Sequence, residues 1–243
     1  MSEDALRTLL ASNSEFVIGI DEVGYGSWAG PLVVTGLVFK KSWGHPDIKD
    51  SKLFKSSKST SAHEKRKQVL HTVIKPNEIF SITKVIGPEI IDSIGVTTAL
   101  RQTTESIAEY LRQCYPDSIT VLDGRNDHGM VFKGKHLFLP KADNLVPAVG
   151  AASITAKVTR DDLMAGVAAE YPGYGFEQHV GYGTQKHYMA LVSLGPCMTH
   201  RLSYRPIKAV LEEHPWLQKK SATLDLINSR KLQSSGQTQK ESA

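Results

Sequence analysis

Residues 16–31 decide the fold, and they read Phe-Val-Ile-Gly-Ile-Asp-Glu-Val-Gly-Tyr-Gly-Ser-Trp-Ala-Gly-Pro. The apolar run at 16–20 predicts a short buried strand. Asp21 and Glu22 follow where this strand is expected to end, and a glycine-rich loop comes next. Two adjacent carboxylates at the end of a buried strand are costly to desolvate unless a cation neutralises them. An oxygen-only site of this kind suits Mg²⁺ or Mn²⁺.

The spacing of Asp21 and Glu22 raises a geometric question. Successive side chains of a regular strand point to opposite faces of the sheet. Both carboxylates can therefore reach one metal site only if the strand bulges or ends at this pair. The alternative is a polar strand end that runs into a glycine loop, because strand ends often carry acidic residues. The local sequence leaves both interpretations open.

Length and composition indicate a globular protein. The 243 residues fit one large domain, or one domain with an appendage. A hydrophobic content of 40% with 22% charged residues argues against a disordered chain. The first residues lack the pattern of a signal peptide, and no apolar run approaches membrane-spanning length. Cys114 and Cys197 show no metal-ligand spacing. Because the sequence has neither a signal-peptide pattern nor a long apolar run, we predict a cytoplasmic protein with no membrane partner.

The charge is unevenly distributed along the chain. Residues 40–75 contain ten basic and three acidic side chains, a net of +7, whereas the whole chain has a net charge of +4 and the remainder is therefore negative. A basic segment in a protein with a carboxylate-rich site suggests a polyanionic substrate that is held by its phosphates. The alternative is a solvated lysine-rich surface, which is the more common role of a run of charges.

The pattern of apolar residues predicts an α/β fold with a mixed sheet flanked by helices. Strands are predicted at 16–21, 32–39, 79–86, 118–122 and 136–139, and helices at 62–74, 96–115, 147–170 and 184–194. We divide the chain into a lead-in at 1–15, one domain with C-terminal helices at 16–217, and a polar, partly disordered tail at 218–243.

Four carboxylates share one sequence context, since each lies at the end of a predicted strand or soon after one. They are Asp21, Glu22, Asp123 and Asp143. Open α/β sheets build their sites outside strand ends, where loops converge. Three or four carboxylates there would bind one or two Mg²⁺ ions, and a two-metal site performs in-line phosphodiester hydrolysis.

Other polar and aromatic side chains are candidate contacts for nucleic acid. Lys52, in a flexible polar segment, could bind a phosphate, and Tyr182, between two glycines, could stack on a sugar or base. Packing within its loop is an equal alternative for Tyr182. Ser153, Lys157 and Arg160 lie on the predicted helix at 147–170, where they either approach the site or form the polar face of that helix.

The histidines give a weaker signal. His179, His187 and His200 are too widely spaced in the sequence to form an obvious set of metal ligands. Histidines more often have structural roles. The other interpretation is that one of them assists proton transfer or departure of the leaving group.

Several segments in order resemble motifs of type 2 ribonuclease H (ribonuclease HII), of the bacterial type. The first is Gly19-Ile-Asp-Glu-Val-Gly-Tyr-Gly-Ser-Trp-Ala-Gly-Pro31, which is similar to the family's Gly-Ile-Asp-Glu-Ala-Gly-Arg-Gly with a following Ala-Gly-Pro. The others are Asp50-Ser-Lys52, Asp123-Gly124, Lys141-Ala-Asp143, Ala151-Ala-Ser-Ile-Thr-Ala-Lys-Val-Thr-Arg-Asp161, Tyr174-Gly-Phe-Glu-Gln-His179, Gly181-Tyr-Gly-Thr184 with His187, and His200-Arg201. The resemblance covers about residues 16–210, and the ordered series is far more specific than any single motif.

The resemblance implies a ribonuclease H-like fold with a small C-terminal helical part. It implies two-metal cleavage, with Mg²⁺ or Mn²⁺, of RNA–DNA hybrids and of single ribonucleotides in duplex DNA, on the 5′ side of the ribonucleotide, with 3′-hydroxyl and 5′-phosphate ends. The catalytic and metal-binding residues would be Asp21, Glu22, Asp123 and Asp143. The nucleic-acid contacts would come from Gly24, Tyr25, Gly26, Lys52, Ser153, Lys157, Tyr182 and Thr184.

One departure from the family pattern concerns specificity. The family's Gly-Arg-Gly is Gly24-Tyr25-Gly26 in this chain, and tyrosine lacks the charge and the forked donors of a guanidinium. If the ribose 2′-hydroxyl is read by backbone amides, the two glycines preserve much of the recognition. If the arginine also binds phosphate or braces the acidic site, affinity or junction preference should change.

The rival functions are a ribonuclease H-fold nuclease that prefers long hybrids and a catalytically weak hybrid-binding protein. A globular α/β domain with surface acids is a third alternative, which the ordered motifs disfavour. Expected partners are RNA–DNA hybrid and ribonucleotide-containing duplex DNA, together with a replication clamp bound through the tail. We predict a monomer, since no coiled-coil pattern appears in the sequence.

Overall fold

The computed structural model describes residues 2–48, 54, 60–124, 128–220 and 223–230. The chain forms two compact units. The first unit comprises Met1–Val23, Val33–Lys84 and Leu100–Thr159. The second unit comprises Gly24–Leu32, Val85–Ala99 and Arg160–Ala243. Each unit draws on three separate segments of the sequence.

Five strands form one mixed sheet, which confirms the predicted fold class. In chain order they are β1 (Phe16–Val23), β2 (Leu32–Lys40), β3 (Phe80–Ile86), β4 (Ser118–Asp123) and β5 (His136–Leu139). Their order across the sheet is β3-β2-β1-β4-β5. β1 pairs antiparallel with β2 and parallel with β4, and β4 pairs parallel with β5. The carboxyl ends of β1, β4 and β5 therefore lie at one edge of the sheet.

Nine α-helices have been assigned in the described part of the chain. They are α1 (Ser2–Ala11), α2 (Ala62–Val69), α3 (Pro88–Ile94), α4 (Val96–Cys114), α5 (Ala142–Leu145), α6 (Pro147–Glu170), α7 (Phe176–His179), α8 (Gln185–Leu194) and α9 (Arg205–Glu213). Residues 223–230 are helical as well. The helix predicted at 62–74 is present, but its last part, Leu70–Ile74, is a π-helical turn. None of the helices in the described ranges is both long and apolar enough to cross a membrane.

β1 lies in the middle of the sheet and packs closely against the start of α6. A Cβ atom on Gly19 would lie 2.2 Å from the carbonyl carbon of Ala148, so glycine is the residue that this approach allows. The small residues Ala151 and Ala152 of α6 are fully buried in the same hydrophobic core. This close packing fixes α6 beside the strand that carries Asp21.

The structure corrects the predicted end of the first strand. β1 continues through Asp21 and Glu22 to Val23, with Asp21 opposite Thr35 and Glu22 opposite Val34 of β2. The strand neither ends nor bulges at the acidic pair in this ladder, because β2 continues to supply hydrogen-bonding partners. On its other side, the pairing of β1 with β4 stops at Ile20.

The second unit has its own hydrophobic clusters. One contains Met164, Tyr174 and Phe176, and another contains Leu191 and Ile207 among its buried residues. Among the described residues after 204, Arg205–Glu213 and 223–230 are helical, in agreement with the C-terminal helical part that the family resemblance implies. α3 was not predicted, because it has only seven residues and begins at a proline.

Candidate active site

Three of the four predicted carboxylates lie at one edge of the sheet, near the carboxyl ends of β1 and β4. The parallel pairing of β1 and β4 ends at Ile20 and Leu122, and the next residues of the two strands are Asp21 and Asp123. Glu22 follows Asp21 on the same strand. The electrostatic interactions of Asp21 with Glu22 and Asp123, and of Glu22 with Asp123, show that these three side chains are close neighbours.

Asp21 is almost completely buried, with 8% of its surface exposed. Its carboxylate accepts a hydrogen bond from the Ser153 side chain on α6, and its Oδ1 accepts one from the Glu22 amide at 2.9 Å. Burial raises the pKa of Asp21 well above its usual range, and repulsion from Glu22 raises it further. These two effects outweigh the lowering of the pKa by the two hydrogen bonds, so the ionised form needs a cation.

Glu22 has a comparable environment. Burial first, and then repulsion from Asp123, raises the pKa of Glu22 from 4.5 to about 7. Asp123 is braced by the chain that follows β5, because its Oδ1 accepts a hydrogen bond from the Ala142 amide at 2.8 Å. A carboxyl group that ionises near neutral pH, beside two other acids, is typical of a functional site.

Asp143 is the fourth predicted carboxylate, and it lies in α5, just after β5. Lys141, which precedes this helix, has a left-handed backbone with φ of 61°. The Asp143 side chain is 9% exposed, and its Oδ1 accepts a hydrogen bond from Nδ2 of Asn144 at 3.0 Å. Within the described ranges, no group of three or more His, Cys, Asp or Glu side chains is arranged to hold a metal ion.

The chemistry of the donor set nevertheless fits a hard divalent cation. The candidate ligands are all carboxylate oxygens, the donors that Mg²⁺ and Mn²⁺ prefer. The raised pKa values of Asp21 and Glu22 mean that a bound cation would relieve an electrostatic cost.

Ser153 and Lys157 are one turn apart on α6, so they share one face of the helix. Both are half-buried. Since Ser153 contacts Asp21, this face of α6 is the one that approaches the carboxylates. Of the two alternatives drawn from the sequence, approach to the site is therefore the one that applies to Ser153.

Gly24, Tyr25 and Gly26 belong to the second unit. Gly26 is exposed, and no atom lies within 4 Å of the position where its Cβ would be, so its backbone is open to a ligand. The hydroxyl of Tyr25 lies 2.8 Å from Oγ1 of Thr97. The carbonyl of Tyr25 accepts a hydrogen bond from Nη1 of Arg201 at 3.0 Å.

Tyr182 and Thr184, also in the second unit, lie on the turn before α8. The Tyr182 ring is 37% exposed, and the guanidinium carbon of Arg160 lies over it at 5.4 Å from the ring centroid. The Thr184 side chain caps α8 by accepting a hydrogen bond from the His187 amide at 3.3 Å. The aromatic ring is thus both packed against the protein and available to a partner.

The burial of two arginines and their contacts with backbone carbonyls were not predicted from the sequence. Arg160 is not part of a polar helix face, because its side chain is fully buried and donates to the carbonyls of Pro31, Ala29 and Val180 at 2.9 to 3.1 Å. Arg201 is also fully buried and donates to the carbonyl of Gly30 at 3.0 Å. Their acceptors lie far away in the sequence, so no local pattern reveals these contacts.

Lys52 and the rest of the Asp50-Ser51-Lys52 motif lie outside the described residues. The basic segment at 40–75 is partly described, and its helix α2 carries Lys65, Arg66 and Lys67. A capping box formed by Ser61 and Glu64 begins this helix.

Comparison with known proteins finds relatives that match most of the chain. The sequence profile of the family described as Ribonuclease HII matches residues 18–207. Ribonuclease HII of Acholeplasma laidlawii is 35% identical over 208 residues, which cover 85% of this chain and 96% of that protein. Ribonuclease HII of Sulfurovum sp. is 39% identical over 187 residues, which cover 77% of this chain and 90% of that protein.

Solved structures share the fold at lower sequence identity. Ribonuclease H2 of Pyrococcus horikoshii superposes with a TM-score of 0.64 at 20% identity, covering 82% of this chain and 99% of that protein. Bst-RNase HIII in complex with Mn²⁺ gives a TM-score of 0.61 at 18% identity, covering 85% and 72% respectively. RNase HII of Archaeoglobus fulgidus, solved in complex with PCNA, gives 0.52 at 22% identity, covering 78% and 95%.

Proposed function

The chain belongs to the ribonuclease HII family and is an endoribonuclease of the ribonuclease H type, and we propose that it cuts both RNA–DNA hybrids and single ribonucleotides embedded in duplex DNA. The cut falls on the 5′ side of the ribonucleotide and leaves 3′-hydroxyl and 5′-phosphate ends. The observation that carries this proposal is the group of Asp21, Glu22 and Asp123 at the ends of β1 and β4, with two pKa values raised by burial.

Asp21, Glu22, Asp123 and Asp143 would hold the divalent ions, Mg²⁺ or Mn²⁺. When bound, these ions supply neutralisation of the carboxylates, activation of the attacking water and stabilisation of the leaving oxygen in an in-line displacement. The oxygen-only donor set and the raised pKa values support this assignment.

Residues around the carboxylates orient them for this role. The Ser153 hydroxyl donates to Asp21, and the Ala142 amide donates to Oδ1 of Asp123, so each carboxylate has a fixed direction before a ligand binds. Lys157, one turn along α6 from Ser153, is the residue that we assign to a substrate phosphate on this face. Its ammonium would offset the charge of a substrate phosphate when the nucleic acid binds near the acidic groups.

Recognition of the ribonucleotide is assigned to the second unit. The backbone of Gly24-Tyr25-Gly26 would bind the ribose 2′-hydroxyl, the group that distinguishes RNA from DNA. The open space beside Gly26 supports this assignment. Tyr182 would stack on the sugar beyond the cleaved phosphate, and its 37% exposure supports this role. Thr184 and Lys52 would contact the nucleic-acid backbone.

A replication clamp is the proposed protein partner, contacted by the polar tail at 218–243. The Archaeoglobus fulgidus protein, which shares the fold, was solved in complex with PCNA. We expect the nuclease itself to act as a monomer in the cytoplasm. Sedimentation of the purified protein with and without a clamp would test the oligomeric state and the partner together.

The first experiment is cleavage of an end-labelled DNA duplex with one embedded ribonucleotide, in Mg²⁺ and then in Mn²⁺. The expected product is a single cut on the 5′ side of the ribonucleotide, absent in an Asp21→Asn variant. Degradation of a long hybrid without cleavage of this duplex would indicate a nuclease that prefers long hybrids. Binding of both substrates without cleavage of either would support the hybrid-binding alternative and contradict the proposal.

A further inference from the structure

The turn that carries Tyr182 has a strained backbone. Val180 has a positive φ of 43°, which is rare for a β-branched residue, and Gly181 follows with φ of 85°. A Cβ atom on Gly181 would lie 2.3 Å from the carbonyl oxygen of Ala29, so this approach requires glycine. Such conformations are unfavourable and persist where the surroundings hold them in place.

Hydrogen bonds from other elements of the second unit hold the first part of this turn. Nη1 of the buried Arg160 donates to the carbonyl of Val180 at 2.9 Å. The amides of Trp28 and Ala29 donate to the carbonyl of Gly181 at 2.8 and 3.2 Å. Two successive carbonyls of the turn, those of Val180 and Gly181, are therefore fixed by groups outside the turn.

The carbonyl of Tyr182 is held by a histidine whose proton position is determined by its neighbours. Nδ1 of His187 lies 3.0 Å from this carbonyl, so Nδ1 carries the proton and donates. Nε2 of His187 is then an acceptor, and it lies 3.0 Å from Nε2 of His200. Nδ1 of His200 lies 2.9 Å from the Cys197 amide nitrogen and 3.2 Å from the Cys197 carbonyl oxygen. As acceptor of the shorter contact, Nδ1 leaves the proton of His200 on Nε2, and this tautomer is the one that can donate to Nε2 of His187.

A third histidine completes the support. His179 donates from Nε2 to the carbonyl of Tyr174 at 2.9 Å, and its Nδ1 accepts the Gly181 amide at 3.3 Å. Its ring stacks on that of His187, with centroids 4.5 Å apart. Burial lowers the pKa of His187 to about 4 and that of His200 to about 3, so both rings are neutral at physiological pH, as the arrangement requires.

We propose that His187 is a positioning residue for substrate recognition, which fixes the Tyr182 backbone through Nδ1 while His200 fixes the tautomer of His187. The inference rests on the proposed contact of Tyr182 with the substrate and extends it to the residues that hold this side chain in place. A tyrosine that stacks on a nucleotide gains most when its direction is set before binding, because little conformational freedom is then lost.

A pair of conservative variants separates the two sides of the His187 ring. The amide nitrogen of Asn stands near the position of Nδ1, so His187→Asn retains a donor for the Tyr182 carbonyl. The amide of Gln reaches the position of Nε2, so His187→Gln retains only the contact with His200. On a duplex with one ribonucleotide, we expect His187→Gln to raise KM about tenfold with little change in kcat, a loss comparable to that of one stacked base. His187→Asn should recover most of this loss.

Two further measurements make the result decisive. Addition of His187→Gln to a Tyr182→Ala background should raise KM no further, because both changes remove the same contact. The ¹⁵N chemical shifts of the wild-type histidines should show His187 protonated at Nδ1 and His200 at Nε2, which needs no variant to fold. Equal losses in the Asn and Gln variants, or the opposite tautomer of His187, would overturn the proposal.

The controls distinguish this inference from the proposed function. If Tyr182→Ala leaves cleavage of the one-ribonucleotide duplex unchanged, the proposed role of Tyr182 is wrong, and the inference fails with it. If Tyr182→Ala raises KM and His187→Gln does not, the inference alone fails. His71→Gln, at an exposed histidine on the π-helical turn of the first unit, controls for general effects of the substitution.

Discussion

The hydroxyl of Tyr25 lies 2.8 Å from the hydroxyl of Thr97, so the side chain of Tyr25 is tied to the first turn of α4. From the sequence resemblance, we expect arginine at the position of Tyr25 in the family pattern. The Tyr25 ring therefore serves as an anchor for the glycine loop in this chain. The carbonyl of the same residue is held by Arg201, so both ends of Tyr25 are fixed.

Removal of this contact should loosen the loop. We expect Tyr25→Phe and Thr97→Val each to lower the free energy of unfolding by about 1 kcal/mol, the net contribution of one hydrogen bond. The double variant should lose little more than either single variant, because the two changes remove one interaction. Urea unfolding of the four proteins measures this coupling. Fully additive losses would show that the two hydroxyls do not interact in solution.

Introduction of an arginine at position 25 should increase affinity for nucleic acid. Tyr25→Arg adds a cation beside the exposed Gly26, so we expect tighter binding of an embedded-ribonucleotide duplex and a salt dependence steeper by about one unit in log K against log[salt]. The control is Tyr110→Arg, which adds the same charge at a tyrosine that is 48% exposed on α4. An unchanged cleavage rate and an unchanged ranking of substrates would mean that residue 25 has no part in specificity.

The acidic site should reduce stability when metal is absent. The pKa of Glu22 is raised in the folded protein to about 7. Its contribution to the free energy of unfolding is therefore complete below pH 4.5 and is lost as the pH rises through 7. In EDTA at pH 8 we expect Glu22→Gln to unfold several degrees above wild type, since about 1 kcal/mol shifts the midpoint of a protein of this size by about 2–4 °C.

Two comparisons test the cause of that gain. It should vanish at pH 4, where the carboxyl group of Glu22 is protonated in both states, and Mg²⁺ should stabilise wild type more than the variant. Glu213→Gln, at an exposed glutamate on α9, should leave the thermal unfolding midpoint unchanged at both pH 8 and pH 4. Equal midpoints of wild type and Glu22→Gln at pH 8 would contradict the raised pKa.

The buried histidines should lower the stability of the protein as the pH falls, whereas Glu22 lowers it as the pH rises. Their pKa values are lowered to about 4 for His187 and about 3 for His200, so their contribution is complete above pH 6.5 and is lost as the pH falls towards 4. We expect wild type to lose more stability than His187→Asn between pH 7 and pH 5, measured by urea unfolding. His71→Asn, at an exposed histidine, should follow wild type. Parallel curves for wild type and His187→Asn would contradict this prediction.

Arg160 should not be replaceable by lysine. Its three donors bond to three carbonyls, and one ammonium cannot reproduce that planar arrangement. We expect Arg160→Lys to lower the free energy of unfolding by about 3 kcal/mol, because a buried carbonyl would lose its partner. Arg205→Lys, at an exposed position at the start of α9, should cost less than about 0.5 kcal/mol. Similar losses in the two variants would rule out a special role for the buried guanidinium.

Much of the sheet and of the acidic set follows from local sequence. β5 and α6 have the predicted ends, because a proline and a sharp change in polarity mark them. Asp21 and Asp123 were placed at strand ends by their apolar runs, and the register puts them at one edge of the sheet. Asp143 was predicted from its place soon after the short strand at 136–139, and the family resemblance pointed to the same residue.

The sequence did not reveal how Asp21 and Glu22 could share one environment while their strand continues. Oδ1 of Asp21 turns back to the Glu22 amide, and Ser153 approaches from α6, 132 positions away. The histidine network was also missed for a physical reason. His187 and His200 are 13 positions apart, and their Nε2 atoms meet at 3.0 Å in the folded protein. Tertiary packing, which no window of residues contains, brings these groups together.

The division of the chain into two units has a consequence for biosynthesis. Every segment of the first unit lies before residue 160, so its sheet and its four acidic residues have all emerged when two thirds of the chain has been translated. The second unit combines residues 24–32 and 85–99 with the segment that begins at Arg160, which is synthesised later. The carbonyls of the glycine loop at 24–30 therefore gain their arginine partners only after Arg160 and Arg201 have been synthesised.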